Sequence, residues 1–185
     1  PIKSSAASDV YKRQGFAHFN YSGVGAYKDD GTLKDNAKVL YVTSKTAKTV
    51  TCPVVTDNKG KVETFTGLQT IIDARQKGYD TTPLVIRIIG LIEANDMDHF
   101  SSSAEGLQIK GKNANSEMNI TLEGVGNDAT IRGFGILLRN CKSVEIRNFA
   151  VMLCMDDCIS LDTDNSNCWV HNLSLIHISE PTRRS

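Results

Sequence analysis

The sequence has no long hydrophobic run, little proline and no net charge, and each deficit excludes a class of protein. No apolar stretch approaches the roughly 20 residues needed to cross a bilayer, and the most apolar one, residues 84–92, is interrupted by Arg87. Only 4 of 185 residues are proline and 40% are hydrophobic, which excludes a collagen-like or disordered chain. The composition that remains is typical of one globular domain of ordinary size.

Cysteine is also scarce. The five cysteines, at positions 52, 141, 154, 158 and 168, are too few for a disulfide-built miniprotein, and an odd number leaves at least one thiol unpaired. A disulfide between Cys154 and Cys158, or one involving Cys141, remains open for an exported protein. A zinc site of Cys154, Cys158, Cys168 and His171 is a weaker alternative, because a buried cysteine usually serves as a small apolar side chain.

Both ends of the chain have an unusual property at the DNA level. Residues 9–14 read DVYKRQ, which GATGTGTATAAGAGACAG can encode, and the reverse complement of that string translates to LSLIHI, the sequence of residues 173–178. The string resembles a transposon end used to prepare sequencing libraries. We therefore interpret residues 1–14 and 173–185 as adapter-derived and exclude them from fold reasoning. Residues 15–172 retain 16 basic and 19 acidic residues, a balance that disfavours nucleic-acid binding.

Helical periodicity is found in one segment only. Residues 15–61 are rich in turn formers and include a short strand at 39–43, whereas residues 66–77 have helical spacing, with Thr66 as predicted N-cap and Gly78 at the C′ position. From Leu84 onward, short β-branched or apolar stretches alternate with Gly, Asn and Asp, which predicts many short strands.

These strands repeat at a nearly constant interval. Positions 120, 144 and 168 hold Ile, Val and Cys; positions 122, 146 and 170 hold Leu, Ile and Val; and positions 124, 148 and 172 hold Gly, Asn and Asn. A second series, Ile136 with Ile159 and Leu138 with Leu161, has a spacing of 23. Such a period indicates stacked structural units.

The repeat predicts an all-β fold, a right-handed, single-stranded parallel β-helix. A unit with several very short strands and no helix favours this architecture over a leucine-rich repeat, and an antiparallel sandwich is the main alternative. Asn148 above Asn172 predicts an internal asparagine ladder. The helix at 66–77 is expected to cap the first coil, whose open end would otherwise expose apolar core and strand edges.

Four blocks within residues 15–172 resemble the pectate lyases, a large family of β-helical polysaccharide lyases. They read GVGAYKDDGTLKDNAKVLYVT, TGLQTIIDARQ followed by LVIRIIGLI, NITLEGVGNDATIRGFGI, and MDDCISLDTDNSNCWVHN. The resemblance implies a secreted or periplasmic enzyme, monomeric when full-length, that acts on pectate and binds neither nucleic acid nor membrane. It cleaves polygalacturonate by Ca²⁺-dependent β-elimination.

The resemblance also assigns candidate site residues. In the family, an Asp shortly before an Ile-x-x-Asp strand is the first calcium ligand, and here it corresponds to Asp157. The family's second acid corresponds to Met155, so the adjoining Asp156 becomes the second candidate. The family's catalytic arginine and remaining calcium ligands lie farther along than Asn172. The chain is therefore expected to be a truncated, inactive fragment without a catalytic residue of its own.

Two alternatives remain for the acidic residues. The acids at positions 156, 157, 162 and 164 are also compatible with a solvated turn in a non-catalytic carbohydrate-binding or adhesion β-helix. Asp156-Asp157-Cys158 resembles the paired acids of polygalacturonases, but residues 130–140 contain no Asp for the third acid. Basic side chains that could face an acidic polymer are Lys110, Lys112, Arg132 and Arg139, and His171 could touch substrate or support the fold.

Overall fold

Short strands in parallel sheets dominate the computed structural model, which describes residues 16–101 and 106–176. The strands are β1 (Lys38–Val42), β2 (Thr51–Val55), β3 (Val62–Thr66), β4 (Leu84–Glu93), β5 (Leu107–Lys110), β6 (Ser116–Arg132), β7 (Ile136–Arg139), β8 (Cys141–Arg147), β9 (Ala150–Met152), β10 (Ile159–Asp162), β11 (Ser166–His171) and β12 (Ser174–Ile176). One α-helix, α1 (Leu68–Arg75), and 3₁₀ turns at Phe16–His18 and Ala94–Asp96 complete the described elements. No helix in the described ranges has both the length and the apolar character needed to span a membrane.

The strands form two parallel ladders and one hairpin. The larger sheet has the order β1-β4-β6-β8-β11, with β9 alongside the end of β6 and β12 alongside β9. The smaller sheet has the order β5-β7-β10, and both sheets pair in parallel throughout. Among the strands named above, only β2 and β3 pair antiparallel. The alternative of an antiparallel sandwich is therefore wrong.

The predicted register is confirmed at the repeat positions. Ile120 on β6 pairs with Val144 on β8, which pairs with Cys168 on β11. The series that begin at Leu122 and at Ile136 align in the same way. Sequence spacing of 23 or 24 residues thus places like side chains next to one another on successive strands.

One buried apolar cluster lies between the two ladders. It includes Leu84, Ile86, Ile109, Ile120, Leu122, Ile136, Leu138, Val144 and Ile146. Since these positions alternate along their strands, the intervening side chains face the opposite side of each sheet. The candidate acids lie in the turn that enters the smaller sheet at β10.

The chain turns at left-handed residues that follow the same repeat. Asn119, Ser143 and Asn167 have φ of 50°, 62° and 50°, one on each of three successive strands of the larger sheet. Asparagine tolerates this conformation better than most residues, because its short amide bonds to nearby backbone. Turn geometry therefore repeats together with the core side chains.

The predicted asparagine ladder is wrong in one respect, because it is not internal. Asn148 and Asn172 are exposed, although both are left-handed. The Asn148 side-chain amide donates to the Gly124 carbonyl at 2.7 Å, and the Asn148 backbone N–H donates to the Asn172 carbonyl at 3.0 Å. The Asn148–Asn172 pair therefore supports a bend at the surface and places no side-chain amide in the apolar core.

Helix α1 covers the edge of the smaller sheet, which confirms its predicted place as a cap. It lies against β2, β3 and β5, and the side chain of Gln69 pairs with the backbone of Gln108 on β5. The predicted start is wrong, because Thr66 ends β3 and the N-cap is Gly67 at φ 98°. The Asp98 carboxylate, distant in sequence, accepts the first helical N–H groups instead.

The segment before β1 packs on the outer face of the larger sheet. Ala26 and Tyr27 form a second buried cluster with Val85 of β4. The Ala26 N–H donates to Thr121 Oγ1 at 2.9 Å, and the Asn167 side chain donates to the Ala17 carbonyl at 2.6 Å. This cover explains why outward-facing residues of the larger sheet are buried.

Residues 1–14 and 173–185, which we interpret as adapter-derived, are not expected to join the repeat. Residues 1–15 and 177–185 lie outside the described part of the chain. Ser174–Ile176, however, forms β12 in register with β9, so the expectation is wrong for these three residues. Leu175 and Ile176 favour extended backbone and stay exposed in the ladder.

Candidate functional site

Asp156 and Asp157 lie in a short turn between β9 and β10. Both side chains are exposed, and Asp157 Oδ2 accepts a hydrogen bond from the Ser160 hydroxyl at 3.2 Å. The turn therefore presents two adjacent carboxylates and a hydroxyl at the head of β10. The two acids assigned by the resemblance are together and open to solvent.

A close contact between backbone atoms holds this turn against the residue that precedes β7. A Cβ at Gly135 would lie 2.1 Å from the Asp157 carbonyl oxygen, so only glycine fits there. Gly106, before β5, meets the Gly135 carbonyl in a similar way, at 2.4 Å. The two glycines thus let the segments that lead into β5, β7 and β10 pack closely against one another beside the acids.

The outer face of the smaller sheet carries basic groups at the opposite end of its strands from the acids. Lys110, Arg139 and Asp162 occupy equivalent positions at the ends of β5, β7 and β10. Arg139 Nε donates to Asp162 Oδ2 at 2.7 Å. Hydrogen bonds from the Thr163 hydroxyl and from Arg139 lower the pKa of Asp162 below its usual range. Asp162 is thereby committed to an ion pair.

The donor set suits calcium in kind but fills only part of a coordination shell. Carboxylate and hydroxyl oxygens are the hard ligands that Ca²⁺ prefers, and the ion requires six to eight of them. Within residues 16–101 and 106–176, no group of three or more His, Cys, Asp or Glu side chains is arranged to hold a metal. Asp157 and Asp156 could therefore hold calcium only with oxygens from a substrate or from water.

The cysteines do not form the zinc site considered from sequence. Cys154 and Cys158 are in contact, with their sulfurs 3.5 Å apart, whereas the Cys168 thiol donates to the Ser166 carbonyl at 3.3 Å. Burial raises the pKa of Cys154 to about 12, and its contact with the Cys158 thiol adds to this effect.

His171 has a supporting role in the fold. Its Nε2 lies 3.1 Å from Glu145 Oε1, and its ring stacks on Trp169 with centroids 3.6 Å apart. Trp169 in turn meets the edge of the His18 ring from the N-terminal segment. The histidine lies on the larger sheet, away from Asp157, and of its two proposed roles the structure supports the second.

A buried charge network on the larger sheet is the main feature that sequence analysis missed. Glu123 accepts hydrogen bonds from Arg87 Nε at 2.9 Å, from Arg147 Nη2 at 2.8 Å and from the Tyr27 hydroxyl at 2.9 Å. Burial raises the pKa of Glu123, but the hydrogen bonds from the two arginines outweigh burial, and the net pKa is lowered. The available signal was opposite charge at the 24-residue spacing, at positions 123 and 147.

An open depression in the described residues lies elsewhere. It has a volume of about 340 Å³ and is lined by residues that include Asn127, Phe149 and Asn172. None of the candidate acids contributes to it.

Comparisons with protein-family models, with curated proteins and with solved structures find no match to this chain.

Proposed function

We propose that this chain is part of a pectate lyase, folded as a right-handed parallel β-helix, that cleaves polygalacturonate by calcium-dependent β-elimination. One observation carries the proposal. The Asp156–Asp157 turn stands exposed at the head of β10 in a parallel ladder, where the resembled family keeps its first calcium ligand. In-register pairing at the 23- and 24-residue spacings supports the architecture.

In this proposal, Asp157 and Asp156 bind the calcium ion. When bound, the ion would link these carboxylates to the carboxylates of the polymer and stabilise the negative charge that develops during elimination. The Ser160 hydroxyl orients Asp157 through its hydrogen bond. Because two carboxylates fill only part of the shell, we expect weak binding of the ion alone and tighter binding with polygalacturonate present.

Basic side chains at the other end of the same ladder would attract the anionic polymer. Lys110 and Arg139 lie on successive strands, about 4.8 Å apart along the ladder, on the side of the sheet that faces away from the core. Because Arg139 is held in an ion pair with Asp162, we assign it a positioning role and not that of a general base. We assign no general base among the described residues and expect no turnover from the chain.

Calcium-dependent retention on polygalacturonate tests the proposal. The full chain is run through affinity gels containing polygalacturonate with calcium or with chelator, beside the double variant Asp156→Asn/Asp157→Asn. Asp128→Asn, which removes an exposed carboxylate remote from the turn, is the matched control. We expect calcium to retard the wild type and Asp128→Asn but not the double variant.

Two results would contradict the proposal. Retardation that ignores chelator would favour a carbohydrate-binding module whose acids only decorate a turn. Release of reducing ends without the ultraviolet absorbance of an unsaturated product would indicate hydrolysis of the polygalacturonase type.

A further inference from the structure

Two thiols close the base of the turn that carries the candidate calcium ligands. Cys154 Sγ and Cys158 Sγ are 3.5 Å apart, and each residue is 8% exposed. The three residues between them, Met155, Asp156 and Asp157, are all exposed. The acids therefore stand on a five-residue segment whose two ends already touch through sulfur.

We infer that Cys154 and Cys158 form a disulfide under oxidising conditions and that this bond fixes the turn bearing Asp156 and Asp157. The consequence for calcium rests on the function proposed above. The bond itself and the rigidity of the turn do not.

The surroundings of the two sulfurs permit the bond. Their contacts with backbone oxygen are long, 3.4 Å from Cys154 Sγ to the Phe134 carbonyl and 3.9 Å from Cys158 Sγ to the Val151 carbonyl. By contrast, Cys141 Sγ lies 2.9 Å from the Ile109 carbonyl. A disulfide is about 2.05 Å long, so the thiols must approach by roughly 1.5 Å.

The backbone between the thiols can supply that movement. Residues 153–158 belong to no strand, and two backbone hydrogen bonds hold the ends of the segment: the Leu153 N–H donates to the Ile176 carbonyl at 3.2 Å, and the Cys158 carbonyl accepts from the Ile136 N–H at 3.0 Å. Rotation about χ1 of both cysteines, with adjustment of the turn, brings the sulfurs together without breaking the β7–β10 pairing.

Thiol–disulfide exchange with oxidised glutathione balances the reaction. One cysteine thiolate attacks a glutathione sulfur and releases one reduced glutathione, leaving a mixed disulfide on the protein. The second cysteine thiolate attacks the protein sulfur of that mixed disulfide and releases the second glutathione. The protein loses two electrons and two protons, which both glutathione molecules carry away.

The ring so formed restricts the acids. A closed five-residue ring has far fewer conformations than an open turn, so the two carboxylates spend more time in the arrangement that a cation requires. The same restriction opposes proteolysis, because a protease must draw the bound segment into an extended conformation.

The test compares the full chain after incubation with oxidised glutathione and after incubation with dithiothreitol. Peptide mapping should show Cys154 linked to Cys158 with the loss of two hydrogen atoms. Cleavage before Asp156 by an aspartate-specific protease should slow about tenfold or more on oxidation. Cleavage before Asp57, in the exposed β2–β3 turn, should not change and serves as the internal control.

Calcium titration of the same two samples separates this inference from the proposed function. We expect the oxidised chain to bind calcium chloride about three- to tenfold more tightly than the reduced chain. A failure to find the link, or a link that leaves cleavage before Asp156 unchanged, overturns the inference. A link that slows cleavage while neither sample binds calcium upholds the inference and overturns the calcium role of the acids. Cys158→Ser should behave as the reduced chain after either incubation.

Discussion

The side chain of Gln69 makes the two hydrogen bonds to Gln108 that a neighbouring strand would make. Gln69 Oε1 accepts from the Gln108 backbone N–H, and Gln69 Nε2 donates to the Gln108 carbonyl, both at 2.9 Å. A single amide from α1 therefore closes the first edge of the smaller sheet. A helix cannot pair with a strand through its own backbone, so the closure depends on this side chain.

Replacing Gln69 with leucine tests that dependence. The change keeps the volume but leaves a buried backbone donor and acceptor unpaired, at about 1 to 3 kcal/mol each. We expect the free energy of unfolding, measured by urea denaturation, to fall by about 2 to 4 kcal/mol. Lys77→Leu, an exposed position just beyond α1, is the control and should change little.

Acid stability should depend on Glu123. Its folded-state pKa lies below the usual 4.5, so its stabilising contribution is complete above that value and is lost as pH falls through the lower folded pKa. Glu123→Gln removes the carboxylate between Arg87 and Arg147, although Arg147 keeps its ion pair with Glu145 at 3.4 Å. We expect it to lower stability at neutral pH by about 3 kcal/mol and to flatten the decline between about pH 5 and pH 3.

The free energy of unfolding of the wild type and of Glu123→Gln, measured across that pH range, tests this prediction. Glu63→Gln removes an exposed carboxylate paired with Lys61 on the β2–β3 hairpin and should leave the curve within about 0.5 kcal/mol of wild type. A Glu123→Gln curve parallel to wild type would show that the network does not govern acid stability.

Gly135→Ala should damage the candidate site through the backbone. The new methyl group would meet the Asp157 carbonyl at 2.1 Å, so the turn must move away from β7. We expect a loss of about 1 to 3 kcal/mol or more in stability and a weaker response to calcium.

Gly60→Ala is the comparison for Gly135→Ala. Gly60 has φ of 82° but no atom within 4 Å of an added Cβ, so it reports backbone strain without a clash. Equal losses at the two positions, measured by thermal unfolding, would contradict a steric role for Gly135.

Exposed edges of the ladders should make the chain self-associate. β10, β11 and β12 end the described sheets, and Leu161, Leu175 and Ile176 are exposed there. Unpaired strand groups beside apolar side chains promote edge-to-edge pairing. We expect concentration-dependent oligomers in sedimentation velocity experiments, reduced by Leu161→Lys, whereas Leu153→Lys, outside any strand, should have a smaller effect. A monomer at all concentrations for the wild type would refute this.

The repeat was predictable because its evidence is local and periodic. Spacing alone predicts the alignment of Ile120, Val144 and Cys168, because a parallel ladder brings equivalent positions side by side. The contacts made by Asp98 and Tyr27 have no such signal. Asp98 caps α1 from 28 residues away, and Tyr27 reaches Glu123 across 96 residues. Such pairs depend on how the N-terminal segment and the cap fold over the ladders, which no local pattern encodes.

The candidate acids were placed correctly at the head of a strand, but their environment was not predictable. The sequence offered the Cys154–Cys158 pair only as one of several disulfides, and it did not indicate that the two thiols meet at the base of the turn that carries the acids. The Arg139–Asp162 ion pair follows from the 23-residue offset between β7 and β10, which differs by one residue from the offset between β8 and β11.

The left-handed residues Asn119, Ser143 and Asn167 make the 24-residue repeat the natural unit of change in this chain. Removing residues 120–143 would remove one whole repeat and leave every later residue in phase with the ladder below. Removing one residue from the same stretch would rotate core side chains to the outside of their strand. We therefore expect deletion or duplication of a whole repeat to be tolerated, whereas deletion of a single residue should disrupt the ladder.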